Sequence, residues 1–555
     1  MASHRTTSLY DFMFAESASM NRPWFIDSNT GRTMTGTAVK ARTDDLAHGL
    51  EIILQSGGPV STAAQDSRLH EVVGIVSPNS LEFAPAVWAS HKLGCTVACM
   101  GGGSTIEELK HQFSLTGTRT IFCHVDALER VTQAAKECNI PPTRIVVISD
   151  NVGLVLPREY QAMGILTADS LVRLKSEDLA CDSPMSSGHR PSSIAFLCFS
   201  SGTTGLPKAV ILPHSAVIAE INQLKLSSVP TSRFAEGDKA LGVLPFSHSF
   251  ALATLVHFCP HLGIATVVFK SMPPFDIFLQ TIVRLRIGHF FLVPPLVTAF
   301  VKHPATTNYD LKFFKSALIA AAPLDGEMES AFQQLGGPDF LVTQGFGMTE
   351  SSSMITSLPF GVPPLPGSVG QLLPYTEAKL VDEHGAILGP GQSGQLCVRG
   401  PQLCLGYLNN EQATRDLFDA DGFLRTGDVG KMTADKYFYI VDRLKFIFKN
   451  KGYQVSPAEL EAHLLSLEVV DDVGVIGRPS ERFGEVPVAF VVLSSLGKDR
   501  DPGSVKDVIK SSVERAKSDY KWLHDVYFVQ SIPRLPSGKV IGSRLKEMLS
   551  TAKPV

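Results

Sequence analysis

The sequence predicts an α/β protein: a large N-terminal domain over residues 1–441 of parallel-rich sheets with helices plus a small β unit, followed by a small α+β domain over 442–555. Three observations carry this. Apolar runs of strand length alternate with helix-spaced segments through about the first 190 residues, glycines punctuate short apolar runs after about residue 365, and a mixed strand–helix pattern restarts near Asp442. At 555 residues the chain exceeds what one hydrophobic core supports, so at least two domains are expected.

An apolar run at 72–76 ends in Pro78-Asn79, helical spacing over 81–93 follows, and Gly94 suits a C-cap. The pattern repeats as a strand at 120–123, a helix at 127–138 and a strand at 144–148. Such alternation favours parallel strands. Residues 181–193 are polar and rich in Ser, Pro and Gly; they predict a loop, because an apolar strand at 194–199 resumes the pattern at once. Gly101-Gly102-Gly103 predicts a loose loop. Farther on, Gly367, Gly370, Gly385, Gly389, Gly391, Gly394 and Gly400 space apolar runs at 378–381 and 395–398, as in a small antiparallel unit. The last segment predicts strands at 473–476, 488–492 and 526–529 and helices at 457–465 and 504–516. No repeat at solenoid spacing occurs.

Composition narrows the function classes. Lys plus Arg (50) nearly balance Asp plus Glu (54), which disfavours nucleic acid or an anionic membrane surface as a partner. The nine cysteines are scattered without a CxxC pair, so Cys95 and Cys99 read as small buried residues and not as metal ligands. No apolar stretch of about 18 residues escapes polar interruption; even 240–269 contains Ser247, His248 and Ser249. The N-terminus lacks a secretory pattern and the C-terminus does not match an SKL-type address. A cytoplasmic protein with no membrane span is expected.

Five segments carry chemistry. Phe199-Ser-Ser-Gly-Thr-Thr-Gly-Leu-Pro-Lys208 lies between two apolar runs and offers backbone N–H groups and hydroxyls at Ser200, Ser201, Gly202, Thr203, Thr204 and Gly205, with Lys208 as a cation, for phosphate oxygens. Pro207 and Ala209 exclude a Walker A loop, and with it a P-loop kinase or ATPase. A flexible linker is the bland alternative, but linkers rarely join two buried strands. Gln344-Gly-Phe-Gly-Met-Thr-Glu350 places Glu350 where a dinucleotide fingerprint has its third glycine. A carboxylate beside a phosphate suits a Mg²⁺ ligand, and Phe346 offers a flat face to a base. By itself this segment is more commonly a tight glycine turn. Asp428, in Thr426-Gly-Asp428, could accept from ribose hydroxyls. Lys445, Lys449 and Lys451 crowd residues 441–454, a pattern that is usually a solvated basic face. Pro536-Ser-Gly-Lys539 puts a lysine at a glycine turn.

In this order and spacing the five segments resemble the adenylate-forming superfamily of acyl-CoA synthetases, 4-coumarate–CoA ligases, beetle luciferases and peptide-synthetase adenylation domains. The resemblance spans about residues 25–546 and includes Leu244-Pro-Phe-Ser-His248, Val293-Pro-Pro295, Ala321-Ala-Pro-Leu324, Gly394-Gln-Leu-Cys-Val-Arg-Gly400, Gly406-Tyr-Leu408 and Gly484-Glu-Val-Pro487. It implies a mobile C-terminal domain hinged near Lys445 and two half-reactions: a carboxylate attacks the α-phosphorus of ATP to give acyl-AMP, and a thiol then takes the acyl group.

The resemblance further implies site residues. Lys539 would bridge acyl carboxylate and α-phosphate, with Mg²⁺ at Glu350 and Lys208 and the Ser200–Gly205 loop on the phosphates. Ala321, Ala322, Gln344, Gly345, Phe346, Gly347, Met348 and Thr349 would line the nucleotide site, and Asp428 and Arg443 would hold the ribose. In the second step Lys449, Lys451, Gly452 and Tyr453 would guide coenzyme A, Gln454 would lie near the reaction centre, and His248 would stand between acyl pocket and thiol tunnel. A lone histidine on an apolar stretch is more often a core residue, and only the Leu-Pro-x-x-His context lifts the functional reading above that.

By the same resemblance Ser249, Phe250, Ala320, Gly347, Ser353 and Met354 line the acyl pocket. Phe250 stands in place of a tyrosine and Ala320 of a glycine, which favours an apolar acid, medium-chain aliphatic or aryl, over a hydroxycinnamate. Phe346 replaces a commoner tyrosine, and Gln395 the usual glutamate. The expected partners are a carboxylic acid, ATP and coenzyme A. A separate carrier protein is the alternative acceptor; no feature demands luciferase-type oxidation, and a non-catalytic binding relative is less favoured, since Lys539, Glu350 and Asp428 are all present.

Overall fold

Strands that are apolar along their whole length must be covered on both faces, and they build two parallel-rich sheets. All six residues of Val72–Ser77 are buried. The computed structural model describes residues 7–549 except 16–19, 56–70, 152, 175–192, 201–206, 229–233, 236, 360–363, 445, 451–452, 481–482 and 535–539; of residues 228, 443, 449, 453 and 454 only the backbone is described. Most of the loop expected at 181–193 therefore lies outside the described residues.

The first sheet runs, in spatial order, Leu166–Thr167, Ile145–Ile148, Thr120–His124, Val72–Ser77, Thr96–Gly101, Ile194–Ser200 and Lys208–Pro213. All neighbours are parallel except the last pair. The helices Phe83–Lys92, Ile106–Thr116 and Leu128–Glu137 make the crossovers. Ile106–Thr116 starts at a reciprocal Thr105–Glu108 capping box and stops at Gly117, whose φ of 66° ends it in the left-handed region. These elements fall on the expected runs within a residue or two, and Gly94, at φ 73°, follows the helix end at Leu93.

The second sheet orders Leu341–Gln344, Ser316–Ile319, His289–Leu292, Lys239–Gly242, Ala265–Val268, Pro23–Asp27 and Thr33–Thr35, parallel except for the final pair. The apolar region 240–269 is a strand, a helical segment with a π-turn at Leu252–Phe258, and a second strand. No described helix is long and apolar enough to cross a membrane.

Beyond the parallel sheets, Phe346–Gly347, Met354–Ser357 and Gln371–Leu372 form a small antiparallel sheet, and Glu377–Val381, Ser393–Arg399, Leu424–Met432 and Phe438–Arg443 form another. The remaining strands, Phe448–Asn450, Tyr453–Val455, Val470–Ser480, Gly484–Leu493 and Asp525–Phe528, share one sheet. Its apolar faces pack with the helices Pro457–Leu465, Pro502–Ala516 and Gly542–Leu549 into clusters drawn only from residues 448–549.

One expectation is corrected. The turn at Gly101–Gly103 is closely packed at its centre, Gly102, although a Cβ on Gly103 would meet nothing within 4 Å. A Cβ on Gly102 would stand 2.2 Å from the Pro78 nitrogen, and Arg130 donates to the carbonyls of Gly102 (2.6 Å) and Ser104 (3.2 Å). Glycine here permits contact between backbones.

Beneath the first sheet a buried cluster of imidazoles ties four helical segments together. Trp88 Nε1 donates to His257 Nε2 at 3.2 Å, the Leu9 N–H donates to His214 Nδ1 at 3.1 Å, and the His91 and His214 rings lie 4.7 Å apart. Burial pushes His214 and His257 down to about 4, and His91 well below its usual range. The unfolded chain protonates these rings near pH 6.5, so between about 6.5 and 4 it binds more protons than the folded one. Stability that His257 contributes above pH 6.5 is therefore lost as pH falls through that window. Asp150, raised to about 6 by burial, acts in the opposite direction, so the test is a difference between variants. The stability advantage of wild type over His257→Asn should shrink by about 1.4 kcal/mol per pH unit on acidification from 6.5 to 4.5, read from urea unfolding. A difference independent of pH would refute the account.

Candidate active site

The carboxyl ends of the parallel strands converge on one region. Val72–Ser77, Thr96–Gly101 and Ile194–Ser200 reach it from the first sheet, and Lys239–Gly242, Ala265–Val268, His289–Leu292 and Ser316–Ile319 from the second. Open α/β sheets bind ligands at this end, where loops are free of covering helices.

Two cavities occupy the region. The first, about 510 Å³, is walled by Ala321, Ala322, Gln344, Gly345, Phe346 and Asp428, and on the far side by Phe448, Glu461, Ile476 and Arg534 of the C-terminal unit. The second, about 890 Å³, holds His248, Ser249, Phe250, Ala320, Ser353 and Met354 at one end. Ser200, Lys208, Met348, Thr349 and Glu350 line it as well. Ala321 and Gly347 line both.

Local backbone geometry explains the junction. Ala321 follows the strand Ser316–Ile319 and takes φ 76°, uncommon for a residue with a Cβ, which turns the chain across the cavity floor. Gly347 pairs with the strand Met354–Ser357 so closely that a Cβ would lie 1.8 Å from the Ser353 carbonyl oxygen. Gln344 lines the first cavity, yet its amide accepts from the Leu324 N–H and donates to the Leu324 carbonyl, both at 3.1 Å, and to Glu329 at 2.7 Å. Its side chain shapes the wall.

At the polar end, the Tyr407 hydroxyl donates to Glu350 Oε1 at 2.8 Å, and Lys208 Nζ lies 4.8 Å from the Tyr407 ring centroid. The segment bearing Tyr407 bonds along the strand Lys208–Pro213, which brings cation and carboxylate to one ring. Ser200 and Lys208 are antiparallel register partners; Ser201, Gly202, Thr203, Thr204 and Gly205 between them lie outside the described residues. His248 caps the turn Ser249–Ala251, its Nδ1 accepting the Phe250 N–H at 3.3 Å, so a neutral ring carries its proton on Nε2.

Asp428 is buried in the first cavity and stands opposite Arg443 in register, although the Arg443 side chain is not described. Nearby, burial raises the Glu461 carboxyl to about 7 against the Val475 N–H that it accepts. Lys449 and Gln454 are register partners and Tyr453 pairs with Asn450, again as backbone only; Lys445, Lys451, Gly452 and Lys539 lie outside the described residues. Arg534 and Val540, which bracket the Lys539 segment, both line the first cavity.

Two residues were not singled out from the sequence. Asn79 is buried at the end of Val72–Ser77; its amide donates to the carbonyls of Gly242 (3.2 Å) and Leu244 (2.9 Å) and accepts from the Phe246 N–H (2.8 Å). It fixes the 244–248 segment from the other sheet, and its only sequence signal was a polar residue closing an apolar run. Tyr407 stood inside a recognised landmark, but nothing in that triplet shows that its hydroxyl reaches Glu350.

A carboxylate, a cation and hydroxyls at one end of a cavity with an apolar other end can orient an anion against an apolar acid. The first cavity adds a flat apolar wall and a buried carboxylate, a set that suits a nucleoside.

Comparison with known proteins agrees. The family model described as "AMP-binding enzyme" matches residues 14–408, and that of its C-terminal domain matches 459–539. The chain is 33% identical to 4-coumarate–CoA ligase 1 of Arabidopsis thaliana, over 98% of this chain and 93% of that protein, and 33% identical to 4-coumarate–CoA ligase 3 of Oryza sativa subsp. japonica, over 99% and 93%. Among solved structures, a benzoate CoA ligase from Burkholderia xenovorans LB400 superposes with a TM-score of 0.79 at 19% identity, covering 97% of this chain and 99% of that one. ATP-bound MatB from Rhodopseudomonas palustris gives 0.78 at 22% identity, with 98% of each chain covered; these two likenesses speak for the fold. The chain belongs to the AMP-binding enzyme family, within the acyl-CoA synthetase and 4-coumarate–CoA ligase-like branch of the adenylate-forming enzymes.

Proposed function

We propose that this AMP-forming acid–thiol ligase joins a medium-chain aliphatic or aryl carboxylic acid to AMP and passes the acyl group to coenzyme A. The observation that carries the reading is the meeting of the two cavities at Ala321 and Gly347. A nucleotide in the first cavity and an acid in the second would bring α-phosphorus and carboxylate together there.

The adenine would lie against Phe346 and the Ala321–Ala322 backbone, with the ribose toward Asp428 and Arg443. The phosphates would pass Gly347 toward Thr349, Lys208 and the Ser200–Gly205 loop. Glu350 fits a Mg²⁺ ion: it is a hard oxygen donor on the phosphate side, and Mg²⁺ needs only one or two carboxylates beside phosphates and water. When bound, that ion supplies positive charge to the phosphate oxygens. Lys208 and Lys539 would add positive charge where two anions must approach. The acid's oxygen forms a bond to the α-phosphorus as the bond to pyrophosphate breaks. In the second step the thiol sulfur bonds to the acyl carbon, loses its proton and displaces AMP.

Three features support the substrate class and the second step. Phe250, Ala320 and Met354 make the acyl end apolar. Separate hydrophobic clusters on either side of residues 441–447 support a domain boundary near 442, with Lys445 as hinge. Lys449, Lys451, Gly452, Tyr453 and Gln454 belong to the C-terminal unit that would rotate to present coenzyme A.

ATP–pyrophosphate exchange across straight-chain and aryl acids, followed by coenzyme A addition, tests this directly. Acid-dependent exchange and then acyl-CoA are expected, with Lys539→Ala lowering exchange at least about a hundredfold, the loss expected of one transition-state charge contact. Exchange without acyl-CoA would make a carrier protein the acceptor, and no exchange with any acid would refute the assignment. In the same assay Asp428→Ala should raise the KM for ATP about ten- to a hundredfold, because a hydrogen bond to a charged group is worth about 1.5–3 kcal/mol. An unchanged KM for ATP would remove Asp428 from the nucleotide site.

A further inference from the structure

Behind the acyl cavity lies a carboxyl that neither half-reaction uses. Glu220, in the middle of the helix His214–Ser228, is 0% exposed. Its Oε1 accepts the Met354 N–H at 2.8 Å, while its Oε2 has no hydrogen-bond partner among the described residues. With no described cation beside it, burial pushes Glu220 well above the usual carboxylate range. A half-satisfied buried polar group costs about 1–3 kcal/mol, and an apolar residue would suit this helix better. What the carboxyl supplies in return is a fixed position for residue 354.

That position matters because the chain between the phosphate end and the acyl end turns under strain. Ser352 takes φ 62°, ψ −30°, which a residue with a Cβ rarely adopts, and the Ser353 carbonyl runs so close to Gly347 that no Cβ would fit there. Such a turn persists only when its surroundings hold it. Glu350 is held by the Tyr407 hydroxyl and Ser352 by its own hydroxyl donating to the Gln402 carbonyl at 2.8 Å, both before the acyl wall. On the acyl side, Glu220 holds Met354. Ser353 and Met354, 3% and 1% exposed, then wall the cavity.

We infer that Glu220 is a positioning residue for acid binding: by holding the Met354 amide it keeps Ser353 and Met354 as the wall against which the acid packs, while the nucleotide side is held by other contacts. This rests on the reading of the second cavity as the acyl site.

Glu220→Gln retains a neutral acceptor; Glu220→Met retains the volume without one. With the best acid among butanoate, hexanoate, octanoate, benzoate and 4-coumarate, Glu220→Gln should keep the acid KM within about twofold of wild type. Glu220→Met should raise it about tenfold, the loss of one buried hydrogen bond, with the KM for ATP unchanged. Equal rises in both KM values, or a Gln variant as impaired as Met, would overturn the inference. Should Glu220→Met fail to fold, hydrogen exchange decides: the Met354 amide is expected to be protected in wild type and in Glu220→Gln, and rapid exchange in wild type would refute the brace. That measurement needs no turnover, so a protein silent on every acid would count against the acyl-ligase reading while exchange still judged Glu220.

Discussion

Everything about this site depends on the burial of parallel strands on both faces. Helices cover the sheets, so polar chemistry is confined to the strand ends, and seven of those ends, three from one sheet and four from the other, point into one region. Asn79 shows how the two sheets are kept in step. A single buried amide at the end of a strand in one sheet satisfies three backbone groups at and after the end of a strand in the other. His248 and Phe250 inherit their places from that contact.

Close backbone approach is the second constraint. Gly347 and Ala321 stand where the two cavities join, one because a Cβ would collide with Ser353 and the other in a left-handed turn. Both accept a local choice that leaves the two cavities adjoining with little protein between them. The neighbouring turn at Ser352 and the lone carboxyl of Glu220 follow the same logic. Each costs local stability and holds the wall proposed for the acid, a trade of stability for placement that active sites commonly make.

Much of the fold was legible in the chain. Strand and helix runs at 72–148 and 457–528 appear within a few residues of their expected places, since alternation and helical spacing are local properties. Phe346, Glu350 and Lys208 were nominated by ordered motifs and the expected acyl-pocket residues by the family resemblance, and the structure brings these together around two adjoining cavities. Tyr407, Asn79 and Glu220 were not found. Their roles depend on partners 57, 167 and 134 residues away, respectively, and a separation of that size leaves no periodic trace.

The sequence by itself determined the α/β class and the family, and it nominated the residues proposed for phosphate and base, because those follow from local patterning and from short segments in a distinctive order. Only the tertiary structure decided that Gly102 packs tightly against Pro78, that the Gln344 amide serves the protein, and that Glu220 is buried against the Met354 amide. A glycine looks the same in the sequence whether it loosens a loop or admits a neighbouring backbone. A glutamate looks the same whether it is solvated and charged or buried against one amide. What separates these cases is the dielectric and the distance supplied by segments far away in the chain.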